Sequence, residues 1–326
     1  MTAAVGLLTL GESMVSLRCP GPLAAGGNLS MHVAGAESNV AVGVARLGHS
    51  VRWAGVVGAD PHGQFILRQL RSEGIAVRHR EDAERSTGVM FLEQRTADVT
   101  RAFYYRAGSA GSTLGIEDVD RAFCGGARAL HLTGITAALS VESRRAVEYA
   151  AARATDEGMV VSLDVNYRSK LWSRGEACAA LSQLVRYANV LIASDDELPL
   201  VAPGPWAGTR EEDPDEAEVS MAEYLLDQGV EEVVVKRGAA GAGVHTASGR
   251  WEAPALPVTS IDTVGAGDAF TAGYLSVMLD GGDVPARLQR GAIAGAFAVS
   301  TAGDWEGLPR TGELGLLGIS SGTTQR

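Results

Sequence analysis

Residues 260–273 read SIDTVGAGDAFTAG, and the fold is read outward from this stretch. Gly265 and Gly267 have no Cβ, so the backbone can turn sharply there and present bare N–H groups. From Ala269 onward, AFTAGYLSVML spaces its apolar residues as a helix does. Asp268 stands where that helix would start. A glycine turn feeding a helix N-terminus is an anion site, because free amides point outward and the helix dipole favours negative charge. The residues alone allow two readings of Asp268. It is either an N-cap after a Gly-rich loop, or a proton acceptor placed where negative charge builds up.

Nine contiguous residues, Asp262 to Phe270 (DTVGAGDAF), closely resemble the signature of the ribokinase-like (PfkB) carbohydrate kinases. The resemblance implies that the amides of Gly265, Ala266 and Gly267 form the anion hole for the transferred phosphoryl group, with Asp268 as catalytic base. It also implies a three-layer α/β fold, with a mostly parallel central sheet flanked by helices and a small β-sheet lid.

The bulk composition agrees with that class. A chain of 326 residues can bury a large core without staples. It is 46% hydrophobic and 21% charged, and its 41 glycines suit many tight βα turns. The net charge of −11, with no basic face evident, argues against a nucleic-acid partner. Cys19, Cys124 and Cys178 are far apart and odd in number, so no disulfide framework is expected. The six histidines lack metal-ligand spacing. No run of 18 apolar residues and no signal segment is evident, so a cytoplasmic protein without a membrane partner is expected.

Apolar runs at 5–10, 51–57, 127–133, 160–164, 189–193 and 232–236 read as buried strands. Between the first two, residues 12–35 form an excursion, with short strands expected near 14–18 and 31–33. GAESNVAVGVARLG (35–48) reads as a helix capped by Ser38 or Asn39 and stopped by Gly48. Asp60 is the expected cap of the next helix. Residues 85–106 read as a hairpin. Ser140 caps an amphipathic helix to Thr155, and His131 reads as a satisfied core histidine. Residues 203–218 carry six acids in their last eight positions and read as a mobile, solvated loop without chemistry. A second small-residue helix is expected over 283–299, and 319–326 reads as a flexible tail.

The family resemblance assigns further roles. The kinase domain would span 1–318, with 12–35 and 86–107 forming a lid that excludes water and pairs copies into a homo-oligomer. Gly35 and Asn39 would bind the sugar. FYYRAGSAGS (103–112), DVNYRSKLW (164–172) and GDWEGLP (303–309) resemble the 2-keto-3-deoxygluconate kinase branch. There Tyr104, Arg106, Arg168 and Asp304 would contact a sugar acid. Period 2 puts residues 104 and 106 on one strand face, and a guanidinium fork fits a carboxylate. Met90 stands where that branch has an aromatic residue, so packing survives and a hydroxyl contact is lost. Asn166, Ser194, Lys236, Gly238 and Gly241 would meet the nucleotide, and Glu197 would organise Mg²⁺ through water. Ser194 replaces a common Asn, and Ala292 replaces a common adenine-side Asn.

Neither GxxxxGK[ST] nor GxGxxG after a strand occurs, and GISSG (318–322) has no helix after it. The expected function is an ATP- and Mg²⁺-dependent kinase that phosphorylates 2-keto-3-deoxygluconate. A neutral-sugar kinase of fructokinase type and a non-catalytic sugar or nucleotide sensor are the alternatives.

Overall fold

The computed structural model describes residues 4–96, 99–204 and 214–318. The chain opens with β1 (Val5–Leu10), β2 (Met14–Cys19), β3 (Ser30–Ala34) and α1 (Ala36–Arg46). Next come β4 (Val51–Gly58), α2 (Pro61–Ser72), β5 (Ala76–Asp82), β6 (Val89–Thr96) and β7 (Val99–Tyr105). The middle of the chain forms α3 (Ile116–Phe123), β8 (Ala127–Thr133), α4 (Gly134–Leu139), α5 (Val141–Asp156) and β9 (Val160–Asp164). Then follow α6 (Arg174–Val185), β10 (Val190–Ser194), α7 (Pro214–Asp227) and β11 (Glu232–Lys236). The last elements are β12 (Ala242–Thr246), β13 (Gly249–Ala253), α8 (Ala266–Leu279) and α9 (Val284–Val299).

Nine strands form the main sheet in the order β13-β12-β11-β10-β9-β8-β1-β4-β5. All pairs are parallel except those made by β12 with β11 and β13. The inner strands are apolar because both faces are covered: every residue of β1 and β4 is buried. Alternation then sorts side chains between two core layers. Leu8 and Leu10 pack with residues of α3, α5 and α6, whereas Leu7 packs with residues of α1, α2 and α8. The chain runs outward from β1 to β4 and β5, then returns to lay β8 to β11 on the other side of β1. Strand order therefore reverses between β1 and β8, and the strand C-termini at such a reversal are where open α/β sheets bind ligands.

The excursion after β1 and the 85–106 hairpin form one smaller sheet, β3-β2-β6-β7. β2 and β6 are parallel within it, and the two hairpins are antiparallel. Met14, Ala34, Met90 and Leu92 form its own small cluster.

Helix starts follow local chemistry with two corrections. Asp60, Ser140 and Asp283 cap α2, α5 and α9 through their side chains. However, α1 starts earlier than Ser38 or Asn39 would allow, with Gly35 as N-cap at φ 147°. A Cβ on Gly35 would sit 2.6 Å from the Glu12 carbonyl oxygen, so the close approach of 12–13 to this helix requires glycine. The early start frees the Asn39 side chain to reach across to Asp268. The second correction concerns the acidic stretch. Residues 214–218 belong to α7, and Glu218 is buried, bonded to Arg237 and His245. These partners hold its carboxyl down at about 2 against the opposing cost of burial. Residues 205–213 and the 319–326 tail lie outside the described residues.

Candidate active site

The turn before α8 sets the geometry. Gly265 is the N-cap at φ 76°, and a Cβ there would lie 2.1 Å from the Asp304 carbonyl oxygen. Glycine is required both by the left-handed backbone and by the 304 segment packed against it. The helix begins at Ala266, so Asp268 lies in its first turn and is not the cap. Its carboxylate accepts from Asn39 Nδ2 at 2.8 Å and from Asn166 Nδ2 at 3.4 Å. Asn166 is the one described non-glycine residue with positive φ, at 40°. Asn tolerates this left-handed conformation better than most residues, and backbone strain of this kind collects at active sites and ligand clamps.

Burial pushes the Asp268 carboxyl up to about 6. The Asn39 hydrogen bond opposes this, the Asp164 charge adds to it, and Lys236 and Arg168 oppose it. A base whose pKa lies near working pH is half-loaded to take a proton.

Two clefts meet at this turn. The first, of about 1130 Å³, is walled by the smaller sheet and by segments that follow the main strands, and includes Val264, Gly265 and Asp268. The second, of about 640 Å³, includes Thr263, Ala266 and Gly267. Consecutive residues of one turn thus face two compartments, with Asp268 on the first.

Of the residues expected to bind sugar, Gly35, Asn39, Met90, Tyr104, Arg106, Arg168 and Asp304 all line the first cleft. Arg106 forms a buried ion pair with Glu12, whose carboxylate also accepts from Ser109 Oγ. The Arg106 guanidinium stands 6.0 Å from the centre of the Tyr104 ring. Arg168 is exposed at the cleft and donates to the Tyr167 carbonyl. Asp304 is already paired with Arg18 at 3.0 Å. Burial raises its carboxyl to about 6, with Arg18 opposing.

Lys236, Gly238 and Gly241 line the second cleft, together with Leu256, Phe270 and Ala292. Lys236 Nζ donates to Asp164 Oδ2 at 2.7 Å and lies beside Gly267. Asn166 and Ser194, expected at the nucleotide, are not part of that lining. Asn166 serves Asp268 instead, and Ser194 Oγ donates to Asp196. Glu197 spends its two oxygens on the amides of Tyr167 and Ser194, bracing the ends of β9 and β10.

Among the described residues no three His, Cys, Asp or Glu side chains group to hold a metal. Asp164 Oδ1 and Asn166 Oδ1 are nevertheless buried oxygen acceptors without a hydrogen-bond partner. An all-oxygen set of this kind fits a hydrated Mg²⁺ that takes its other ligands from phosphate.

Sequence reasoning missed Glu12 and Lys170, which line the first cleft, and Arg18, which bonds the cleft residue Asp304. Glu12 ends the apolar run of β1, which was its only signal. Arg18 interrupts an otherwise weakly polar strand. Lys170 sits inside the quoted 164–172 string; its ammonium lies 5.3 Å from the Tyr104 ring centre and donates to the Ala102 carbonyl. His131 is fully buried beside Ser162 Oγ at 3.1 Å, but its Nε2 lacks a partner, so it is only half satisfied.

The profile of the pfkB family carbohydrate kinases matches residues 3–311, and the chain belongs to that family. It is 35% identical over 313 residues to the 2-dehydro-3-deoxygluconokinase of Bacillus subtilis (strain 168), covering 94% of this chain and 93% of that one. It is 32% identical over 321 residues to the 2-dehydro-3-deoxygalactonokinase of Haloferax volcanii, covering 95% and 98%. A ribokinase-II-like chain from E. coli, solved in complex with ATP and Mg²⁺, superposes with a TM-score of 0.85 at 25% identity, over 96% of this chain and 98% of that one. No helix among the described residues is long and apolar enough to cross a membrane.

Proposed function

We propose that this protein is an ATP-dependent kinase that converts 2-keto-3-deoxygluconate to 2-keto-3-deoxy-6-phosphogluconate. The observation that carries the reading is the shared turn: Gly265 and Asp268 face the larger cleft, while Ala266 and Gly267 face the smaller. The sugar acid occupies the first cleft and ATP the second. The sugar hydroxyl oxygen attacks the γ-phosphorus, and its proton passes to Asp268. As the new P–O bond forms, the bond to the β-phosphate oxygen breaks and ADP leaves. The amides of Gly265, Ala266 and Gly267 receive the charge that spreads over the transferring group. Lys236, beside Gly267, adds a fixed positive charge. Mg²⁺ would be held through water by Asp164 and Asn166, with Glu197 bracing the strand ends that present them, and it would neutralise the nucleotide phosphates.

Of the three cations lining the first cleft, Arg106 is paired with Glu12, while Arg168 and Lys170 donate to backbone carbonyls; the charge of these two favours a carboxylate-bearing sugar over a neutral one. The smaller sheet serves as a lid, its Met90 and Tyr104 facing the cleft. Its face bearing Met31, Phe91 and Tyr105 packs against a second copy of the chain; Tyr105 is 68% exposed there. A kinase drawing on ATP in this way works in the cytoplasm.

A coupled ADP-release assay over a panel of sugar acids and neutral sugars tests the proposal. The highest kcat/KM should fall on 2-keto-3-deoxygluconate, with its galactonate epimer as the informative competitor. Preference for fructose would establish the neutral-sugar reading, and absence of sugar-dependent ADP release would establish a sensor.

A further inference from the structure

We propose that Arg18 is a positioning residue for phosphoryl transfer, tying the seating of the smaller sheet to the shape of the amide cradle at 265–267. The inference rests on the kinase reading above. Arg18 belongs to β2, in the smaller sheet, yet its side chain leaves that sheet and binds the main body. Its Nη1 donates to Asp262 Oδ2 at 2.5 Å and its Nη2 to Asp304 Oδ2 at 3.0 Å. The arginine side chain is 16% exposed and the two carboxylates 10% and 5%. One guanidinium therefore joins three segments remote in sequence.

Both carboxylates shape the cradle. Asp262 accepts from the Val264 amide at 3.0 Å and from the Gly303 amide at 3.3 Å, which sets the first half of the turn. The Asp304 backbone is packed against Gly265, which sets the second half. Without Arg18, two largely buried like charges would face each other across the turn whose amides must converge on a phosphoryl group. A planar fork can satisfy two carboxylates at once; an ammonium supplies the charge without that geometry.

The other end of the tie reaches the sugar. Register places Arg18 beside Leu92 and Ser16 beside Met90, and Met90 pairs with Tyr104. These residues share the face of the smaller sheet that meets the first cleft. A sugar acid seated against Met90 and Tyr104 thus fixes the strand that carries Arg18, and through it the cradle. Other links join the smaller sheet to the main body, from Lys170 to the Ala102 carbonyl, from Trp305 Nε1 to the Val33 carbonyl and between His32 and Glu306, but none of these three bonds Asp262.

The test compares wild type with Arg18→Gln and Arg18→Lys in steady-state kinetics, thermal melts and hydrogen exchange. With whichever sugar the wild type phosphorylates, Arg18→Gln should lower kcat by about 30-fold or more while both KM values stay within about three-fold. Arg18→Lys should recover part of that loss. Exchange at 263–267 in the ligand-free Arg18→Gln protein should be about ten-fold faster than in wild type, with α5 unchanged. A kcat within about three-fold of wild type in Arg18→Gln overturns the proposal. So does a loss of rate matched by faster exchange throughout the chain, which would show a merely structural role. If the wild type phosphorylates no sugar, the kinase reading fails, and the ligand-free exchange result still decides whether Arg18 holds the turn.

Discussion

In the proposed reaction the proton passes to Asp268, one carboxylate held by two asparagine amides. Asp268→Asn should keep ATP affinity within a few-fold and lower kcat by about 10²–10⁴, as measured by binding titration and ADP release. The pH profile follows from the same group. Only the ionised form accepts a proton, so kcat/KM should fall as pH drops through about 6. Asn39→Ala removes a donor that favours the ionised form, so the acid limb should move to higher pH. An acid limb that stays in place would show that another group controls the rate. The cleft arginines should behave differently from each other. Arg168→Ala removes an exposed cation and should raise KM for the sugar acid by about ten-fold or more while sparing a neutral sugar. Arg106→Ala should also cost about 3–5 kcal/mol of stability, because Glu12 would be left buried and unpaired. Paired kinetics and denaturant melts separate the two effects.

At the scale of elements, the turn before α8 tolerates little. Gly265→Ala places a methyl group onto the Asp304 carbonyl and forces a left-handed backbone on alanine. It should destabilise by about 1–3 kcal/mol and abolish most turnover, read by thermal melt and assay. The cap of α2 is a useful contrast. Asp60 accepts from the Gly63 and Thr87 amides, away from the clefts. Asp60→Ala should cost about 1 kcal/mol and leave KM unchanged. A KM shift there would mean that the loop at Thr87 transmits to the lid strand that follows it.

The whole molecule sets two clefts on either side of one turn, with the smaller sheet over the first, and stability should therefore respond to both ligands. Saturating sugar acid at about 100 times its Kd should stabilise by about 2.7 kcal/mol, visible as a rise in Tm. Much of this architecture was legible in the chain. Buried parallel strands write themselves as apolar runs, and β8, β9 and β11 were placed by that pattern to the residue. The Gly265–Asp268 turn was equally plain, because a bare-amide bend before a helix needs those residue types. Tertiary structure alone decided what depends on meeting across the chain. Helix α1 starts at Gly35 rather than at a polar cap because Glu12 crowds that position. Glu218 is a buried partner rather than a solvated charge because α7 brings it to Arg237 and His245. Arg18, Glu12 and Lys170 carry little local signal of their partners, since a charged residue in a strand or loop reads as solvent-facing until its distant partner is known. Local periodicity encodes the elements; ion pairs between residues hundreds of positions apart exist only once the chain has closed.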